Sequence, residues 1–424
     1  MQLCLRQKIG CSLLIVVVAS SVWADGFRNP PEGAQALGKI GGRLVYMEDA
    51  SAAIHNPANL PLLQAPEASV SVTVGYGKRE FVNAEGARAS SRDNWSWLPN
   101  LFAVYPLNDD GLVAGLSLTT PFGRSSTFSK TSPLRYTAPY FTELYAVNLN
   151  PVIAYRVNNR LSVAAGASLL YSELELRQIF PWAAVTQNPE TPDGATRFQA
   201  DGYGFGYNAA ITWNITQRQR AALTYRSSIK VDYDGDLRLS NVPPPAQLPP
   251  PLAPLITPKS DFDTEIEFPA VLAFGYGLHL TDRIRVEANV EWVRHSLFEA
   301  LDFDADNNTP LLGPNSRIEA DWKDNWTYGL GADFRISEDW TLRAGYIYLE
   351  TPIPGRTMLP TISEENQSVI SLGLGFRRGA HQLDLAYAYG LFSGRRVSDN
   401  EEPAFNGKHD FDSHLIGASY ALTF

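Results

Sequence analysis

The chain is nearly free of cysteine. Its two, Cys4 and Cys11, lie at the extreme N-terminus, so nothing after residue 11 can form a disulfide or a thiolate metal site. Long apolar runs are equally scarce. Only residues 11–22 form one; Arg6 and Lys8 precede it and Val22-Trp23-Ala24 closes it, so residues 1–24 read as a secretory signal peptide. The run is shorter than the roughly 20 residues a membrane helix needs. Lys8-Ile9-Gly10, before Cys11, lacks the apolar box of a lipoprotein signal. No later run approaches spanning length, which excludes a helical inner-membrane protein. Positive charge is also in short supply. The chain carries 35 basic and 45 acidic residues; without Arg6 and Lys8 the balance is 33 against 45, a net charge of −12. That sign excludes nucleic acid as a partner. Metal-ligand spacings, phosphate loops and nucleotide fingerprints are missing as well, so neither a metal nor a cofactor is expected.

What is abundant is aromatic residues and glycine: nine Trp, 19 Tyr, 20 Phe and 32 Gly. They fall into a two-residue alternation, the signature of strands with two different environments. Residues 70–76 set Val70, Val72, Val74 and Tyr76 against Ser71, Thr73 and Gly75. Residues 203–215 set Tyr203, Phe205, Tyr207, Ile211 and Trp213 against Gly204, Gly206, Asn208, Thr212 and Asn214. The following segment sets Leu223, Tyr225, Ile229, Val231 and Tyr233 against Thr224, Arg226, Ser228, Lys230 and Asp232. About fourteen such segments occur, centred near residues 74, 102, 116, 150, 166, 208, 227, 272, 289, 328, 345, 372, 387 and 418. Six connections are tight and rich in turn formers, such as Asn108-Asp109-Asp110-Gly111 and Asn158-Asn159. Seven are long, among them the Pro-rich 242–258.

A soluble all-β array also alternates, but its strands run nearer 5 or 6 residues. Many here run ten or more, as a tilted membrane strand must. Tyr76, Trp213, Trp292, Trp326, Trp340 and Tyr420 lie towards the ends of the apolar faces, where an interfacial girdle belongs. Short turns at one end and long loops at the other complete the pattern of an all-β, 14-stranded antiparallel transmembrane barrel in the bacterial outer membrane, both termini on the periplasmic side. Ile416, Ala418, Tyr420, Leu422 and Phe424 alternate to the end of the chain, a terminal aromatic strand of the kind read by the outer-membrane assembly machinery.

Residues 25–66 do not alternate. Their small residues and helix-capable stretch around Ala50 suit a compact N-terminal hatch inside the lumen, with residues 67–424 forming the barrel. An unfilled barrel of this width would leak.

Glu48-Asp49-Ala50-Ser51-Ala52-Ala53-Ile54-His55-Asn56-Pro57-Ala58, together with Val147-Asn148-Leu149-Asn150-Pro151, Trp340-Thr341-Leu342-Arg343-Ala344-Gly345-Tyr346 and Thr351-Pro352-Ile353-Pro354, resembles the FadL/TodX family of outer-membrane transporters. The resemblance places Asn56, Pro57 and Ala58 in the hatch. It implies capture of a hydrophobic molecule, a long-chain fatty acid or an aromatic hydrocarbon, in an outer groove. The molecule then passes to an inner pocket and leaves sideways beside a kinked third strand. Pro121-Phe122-Gly123, at the top of that strand, is the candidate for the exit. Two outer loops are apolar enough to bind: Phe128, Leu134, Tyr136, Tyr140 and Phe141 in one, Phe180 and Trp182 in the other. Packing of loop on loop is the plainer reading of both. By position, Arg177 and Lys323 match the family's carboxylate-binding arginine and lysine. Lys323 has the inward parity of Asn325 and Thr327, whereas Arg177 shares the outward parity of Leu169 and Tyr171 and needs a bulge to reach the lumen.

Two rivals remain. A water-filled porin for polar solutes would lack residues 25–66. An outer-membrane hydrolase needs a nucleophile beside a base, but His295-Ser296 and Ser413-His414 are adjacent and point to opposite faces. The expectation is therefore a transporter and not an enzyme, acting as a monomer amid outer-membrane lipid and lipopolysaccharide.

Overall fold

A computed structural model describes residues 25–307, 316–392 and 394–424. The signal-peptide segment, residues 1–24, lies outside the described residues. Fourteen antiparallel wall strands run in chain order: β1 (Glu67–Asn83), β2 (Trp95–Pro106), β3 (Leu112–Thr127), β4 (Phe141–Arg156), β5 (Leu161–Phe180), β6 (Gly194–Asn214) and β7 (Gln219–Arg226 with Ile229–Leu239). Then follow β8 (Lys259–Phe268 with Ala270–His279), β9 (Ile284–Arg294), β10 (Asn325–Arg335), β11 (Trp340–Leu349), β12 (Gln367–Arg378), β13 (His381–Leu391) and β14 (Gly407–Thr423). Each pairs with the next, and β14 closes on β1 from Glu67↔Thr423 to Asn83↔Gly407, so no edge strand is left open. All fourteen centres expected from the alternation fall on these strands or, at 227, in the break between the two halves of β7. The six tight turns all lie at one end. Gly111 and Gly379 sit there with φ of +89° and +59°, a region that disfavours any side chain.

The outer face is greasy. Phe205, Leu330, Leu372 and Leu385 are each 59% exposed or more. At about 2 kcal/mol for every such side chain, a belt of this size in water would outweigh the roughly 5–15 kcal/mol that holds a typical fold together. Lipid removes that cost. The inward face of the same strands is polar, with Asn100, Ser117, Asn150, Asn208, Thr212 and Asn289 all buried.

Above the belt, towards the long loops, the pattern inverts. On β7 the inward residues are Ala222, Thr224 and Arg226 below the Ser227-Ser228 break, and Ile229, Val231 and Tyr233 above it. Alternation predicts Ile229, Val231 and Tyr233 on the lipid face with Leu223 and Tyr225; the break moves them inside. Lys230, Asp232 and Asp234 take the exterior. β8 is interrupted at the same level by Pro269, which cannot donate to the ladder, and its pairing with β7 keeps one register across both halves. The two strands shift faces together. The result is a wall that is apolar outside in the membrane and apolar inside above it.

Residues 25–66 fold as two short helices, α1 (Ala34–Gly38) and α2 (Ala52–His55), and a 3₁₀ turn at Pro57–Leu62. They are bonded to the wall on many sides, which places them in the lumen. Glu287 of β9 accepts the backbone N–H groups of Leu44, Val45 and Tyr46 at 2.6, 2.8 and 3.1 Å. Lys39 meets Asp333 of β10 at 3.0 Å, and Ala34 N–H donates to Ser419 of β14 at 2.7 Å. Asn56 donates to Leu44 O and Thr212, and Asn59 donates to the carbonyls of Leu44, Val45 and Met47. The Asn-Pro-Ala-Asn turn is thus a knot that ties the segment to itself and to β6. At Gly41, a Cβ would meet the Tyr346 carbonyl at 2.0 Å, so only glycine lets the segment lie this close to the wall.

Candidate functional site

The upper lumen is an apolar chamber packed by an aromatic cluster built on Phe27. Its ring lies 4.5 Å from Trp322, 4.8 Å from Phe298 and 6.0 Å from Phe268, while Phe122 stacks on Phe268 at 4.6 Å. Ile229, Val231 and Ile266 line the same apolar cluster. Beside Phe27, on the side of the long loops, the chain is fixed by charge. Arg124 donates to Glu364 at 2.8 Å and to Gly26 O at 2.7 Å, and both side chains are almost fully buried. Burying such a pair is costly unless its remaining hydrogen bonds are met. Thr351, Gly26 N–H and the Ile362 carbonyl meet most of them, while Arg124 Nε has no partner among the described residues.

The wall is broken beside this chamber. β2 pairs with β3 only from Leu101↔Leu118 to Pro106↔Val113. Above that, Trp95–Asn100 pair with β1, and among the described residues no ladder joins them to β3. β3 itself slips register against β4 between Thr119 and Phe122, at Pro121. Its freed backbone turns to the N-terminal segment: Asn29 N–H donates to Pro121 O, and Gly123 N–H to Phe27 O, both at 2.9 Å. Among the described residues a single link, Thr120 N–H to the Asn100 side chain at 3.2 Å, crosses the break before Arg92 N–H meets Thr127 O at its upper rim. Pro121, Phe122 and Gly123 therefore stand at a side break that adjoins the chamber.

Other expected site residues lie elsewhere. β5 continues through Arg177 without a bulge, in one register with β6, so Arg177 stays on the outer face. There it pairs with Glu175 and lies 4.6 Å over the Phe141 ring. Lys323 is exposed and precedes β10; Asp321, at φ +46°, breaks the extended run, and it is Trp322 that points inward. The inward parity expected of Lys323 fails because the strand has not yet begun. Phe128 and Leu134 are buried in a loop cluster with Phe81 and Phe405, and Tyr140 lies beneath Lys130. Trp182 is fully buried against Phe180 and donates to Ser240 O. Tyr136 is exposed and donates to Asp193. These two loops mostly pack on each other and on neighbouring loops. An open cleft at the mouth runs from Thr137 and Pro139 of the first loop to the loops on the far side, lined by Leu176, Phe198, Phe303, Leu359 and Phe405 and by the charged Arg317, Glu319, Arg356 and Glu401.

A closed barrel with a greasy outside, an occupied lumen and an apolar chamber beside a side break defines an outer-membrane protein built to handle hydrophobic molecules. The chain belongs to the outer membrane protein transport protein family (OMPP1/FadL/TodX), whose model matches residues 15–424. It is similar to the long-chain fatty acid transport protein of Escherichia coli O6:H1, 23% identical over 454 residues and 98% of each chain. Among solved structures, a Pseudomonas aeruginosa FadL homologue is 22% identical with a TM-score of 0.81, over 94% of this chain and 100% of that one. The Pseudomonas putida toluene transporter TodX is 18% identical with a TM-score of 0.71, over 94% and 100%.

Proposed function

We propose that the protein takes up hydrophobic small molecules across the outer membrane and releases them sideways. A molecule enters the mouth cleft, moves into the chamber around Phe27, and leaves through the break between β2 and β3. Residues 25–66 act as the hatch that closes the polar lower lumen. The observation that carries this reading is that the apolar chamber adjoins a gap in the wall, while the route to the periplasm is blocked by bonded, charged packing. Each buried CH₂ contributes about 0.8 kcal/mol, so the chamber can hold an apolar chain without covalent chemistry. The names of relatives, a fatty-acid transport protein and a toluene transporter, agree with this class of cargo. The protein works as a monomer in contact with lipopolysaccharide. Phe424, exposed and bonded to Pro66 O, ends the strand presented to the assembly machinery.

Proteoliposomes test the reading. They should take up labelled laurate or toluene faster than empty vesicles and fail to swell in sugars. Rapid sugar swelling without hydrophobic uptake would instead indicate a porin.

A further inference from the structure

Resting on that uptake reading, we infer that the proline-rich segment 242–256, between β7 and β8, is a hinged lid on the upper chamber, opened by the hydrophobic cargo and closed again behind it.

The segment is uncharged and carries seven prolines in fifteen residues. Its underside is apolar and seated. Leu248 and Ile256 are buried in the cluster that contains Phe27, Phe198 and Ile229, and Leu252 and Ala253 pack against it. Its upper side, with Pro244, Pro245, Pro250 and Pro251, is exposed. Leu237 and Leu239, the last inward side chains of β7, belong to the same cluster, so the segment roofs the chamber on the side of β6–β8.

The ends of this roof are pinned and its middle is not. Leu239 N–H donates to Pro258 O at 2.9 Å and closes the base. Ser240 N–H donates to Ala195 O, and the Trp182 indole donates to Ser240 O at 2.9 Å. Asn241 donates to Asp193 O at 2.8 Å and takes a φ of +52°, where the chain turns away. Beyond it the bonding to the wall stops. Among the described residues, every hydrogen bond of 242–256 stays within the segment: Gln247 and Leu248 donate to the carbonyls of Pro244 and Pro245, and Leu252 and Ala253 to that of Pro249. Only apolar contact holds the segment down.

A fixed cap commits its N–H groups to the wall, as Leu44, Val45 and Tyr46 do to Glu287. Proline has no N–H, so this segment can leave its seat without stranding a donor, and its fixed φ values keep one shape whether seated or lifted. Compact loops with their ends held together are suited to such movement. Lifting loses apolar contact alone, and a hydrophobic molecule restores contact of the same kind to the surface that Leu248 and Ile256 vacate. Cargo and lid compete for one apolar surface. A polar solute offers nothing in exchange and leaves the lid shut.

Single cysteines test this in proteoliposomes, because none occurs after residue 11. With an impermeant maleimide, Leu248→Cys should react about tenfold more slowly than Pro250→Cys. Saturating 1-dodecanol should speed Leu248→Cys about fivefold or more and leave Pro250→Cys unchanged. A Leu248→Cys rate indifferent to 1-dodecanol would overturn the lid. A second measurement leaves the buried face intact. β14 lies seven strands from β7, across the mouth, so spin labels on Pro250→Cys and Lys408→Cys should report two distances whose balance 1-dodecanol shifts. One unchanging distance would overturn the lid as well. Leu248→Ser loosens the seat and should raise the initial uptake of labelled laurate about threefold; no change or a fall would make the segment a fixed wall. If the unaltered protein takes up no laurate, the uptake reading itself falls, and the lid with it.

Discussion

Arg226 and Ile229 lie three residues apart on one strand, and both point into the lumen. A regular strand sends residues of odd separation to opposite faces, so the Ser227-Ser228 break is what lets one strand serve two solvents. Below it lipid lies outside and polar packing inside; above it water lies outside and an apolar chamber inside. Because no cysteine follows residue 11, single cysteines can read this directly. Lys230→Cys should react quickly with a membrane-impermeant maleimide on whole cells, and Ile229→Cys at least tenfold more slowly. Equal rates would mean the strand keeps one face throughout.

Glu287 holds three consecutive backbone N–H groups of the N-terminal segment. Glu287→Ala leaves those donors buried and unmet, at about 1–3 kcal/mol each. The segment should detach more often while the barrel stays folded. Planar-bilayer recordings should show new conductance, and a silent variant would count against a closing role for this contact.

Burial, with Arg43 adding to it, holds His55 down at about 3. A histidine whose folded value lies below its unfolded one contributes fully above about 6.5 and loses that contribution as pH falls. At pH 5 the loss from this one group is about 2 kcal/mol. Glu32 and Asp49, both pushed up by burial, work in the opposite direction. The comparison that isolates His55 is His55→Gln, whose N-terminal segment should resist protease equally at pH 7 and pH 5. The unaltered chain should be cleaved faster at pH 5 than the variant.

Lys323 is exposed and Arg177 is paired on the outer face, whereas Phe27 stands at the centre of the chamber. Lys323→Ala and Arg177→Ala should leave laurate affinity within about twofold. Phe27→Ala removes a buried ring and should weaken laurate and 1-dodecanol alike, by about tenfold. A laurate-selective loss from Lys323→Ala would return that residue to the site.

Alternation made the barrel legible because lipid and lumen demand opposite side chains at every second position. Strand number, turn order and the closing pair of Glu67 with Thr423 follow from it. Alternation misleads where the solvent changes. Ile229, Val231 and Tyr233 continue the greasy register of Leu223 in spacing but not in space, because two serines absorb one extra residue. Ser227-Ser228 and Pro269 were the available signals, and both look like ordinary turn formers in a linear reading. Lys323 misses the lumen for a similar reason: parity extends only as far as the strand, and β10 begins at Asn325. Phe27, Arg124 and Glu364 could not be brought together from sequence at all. Nothing local couples residue 26 to residue 364, and only the fold carries the Gly26 peptide to both side chains.

The central claim is that cargo leaves through the wall between β2 and β3. Asn100 and Thr120 face each other across that gap, bonded at 3.2 Å. An Asn100→Cys/Thr120→Cys pair, oxidised in proteoliposomes, should stop uptake of labelled laurate, and reduction should restore it. Uptake that continues unchanged with the disulfide formed would contradict lateral release.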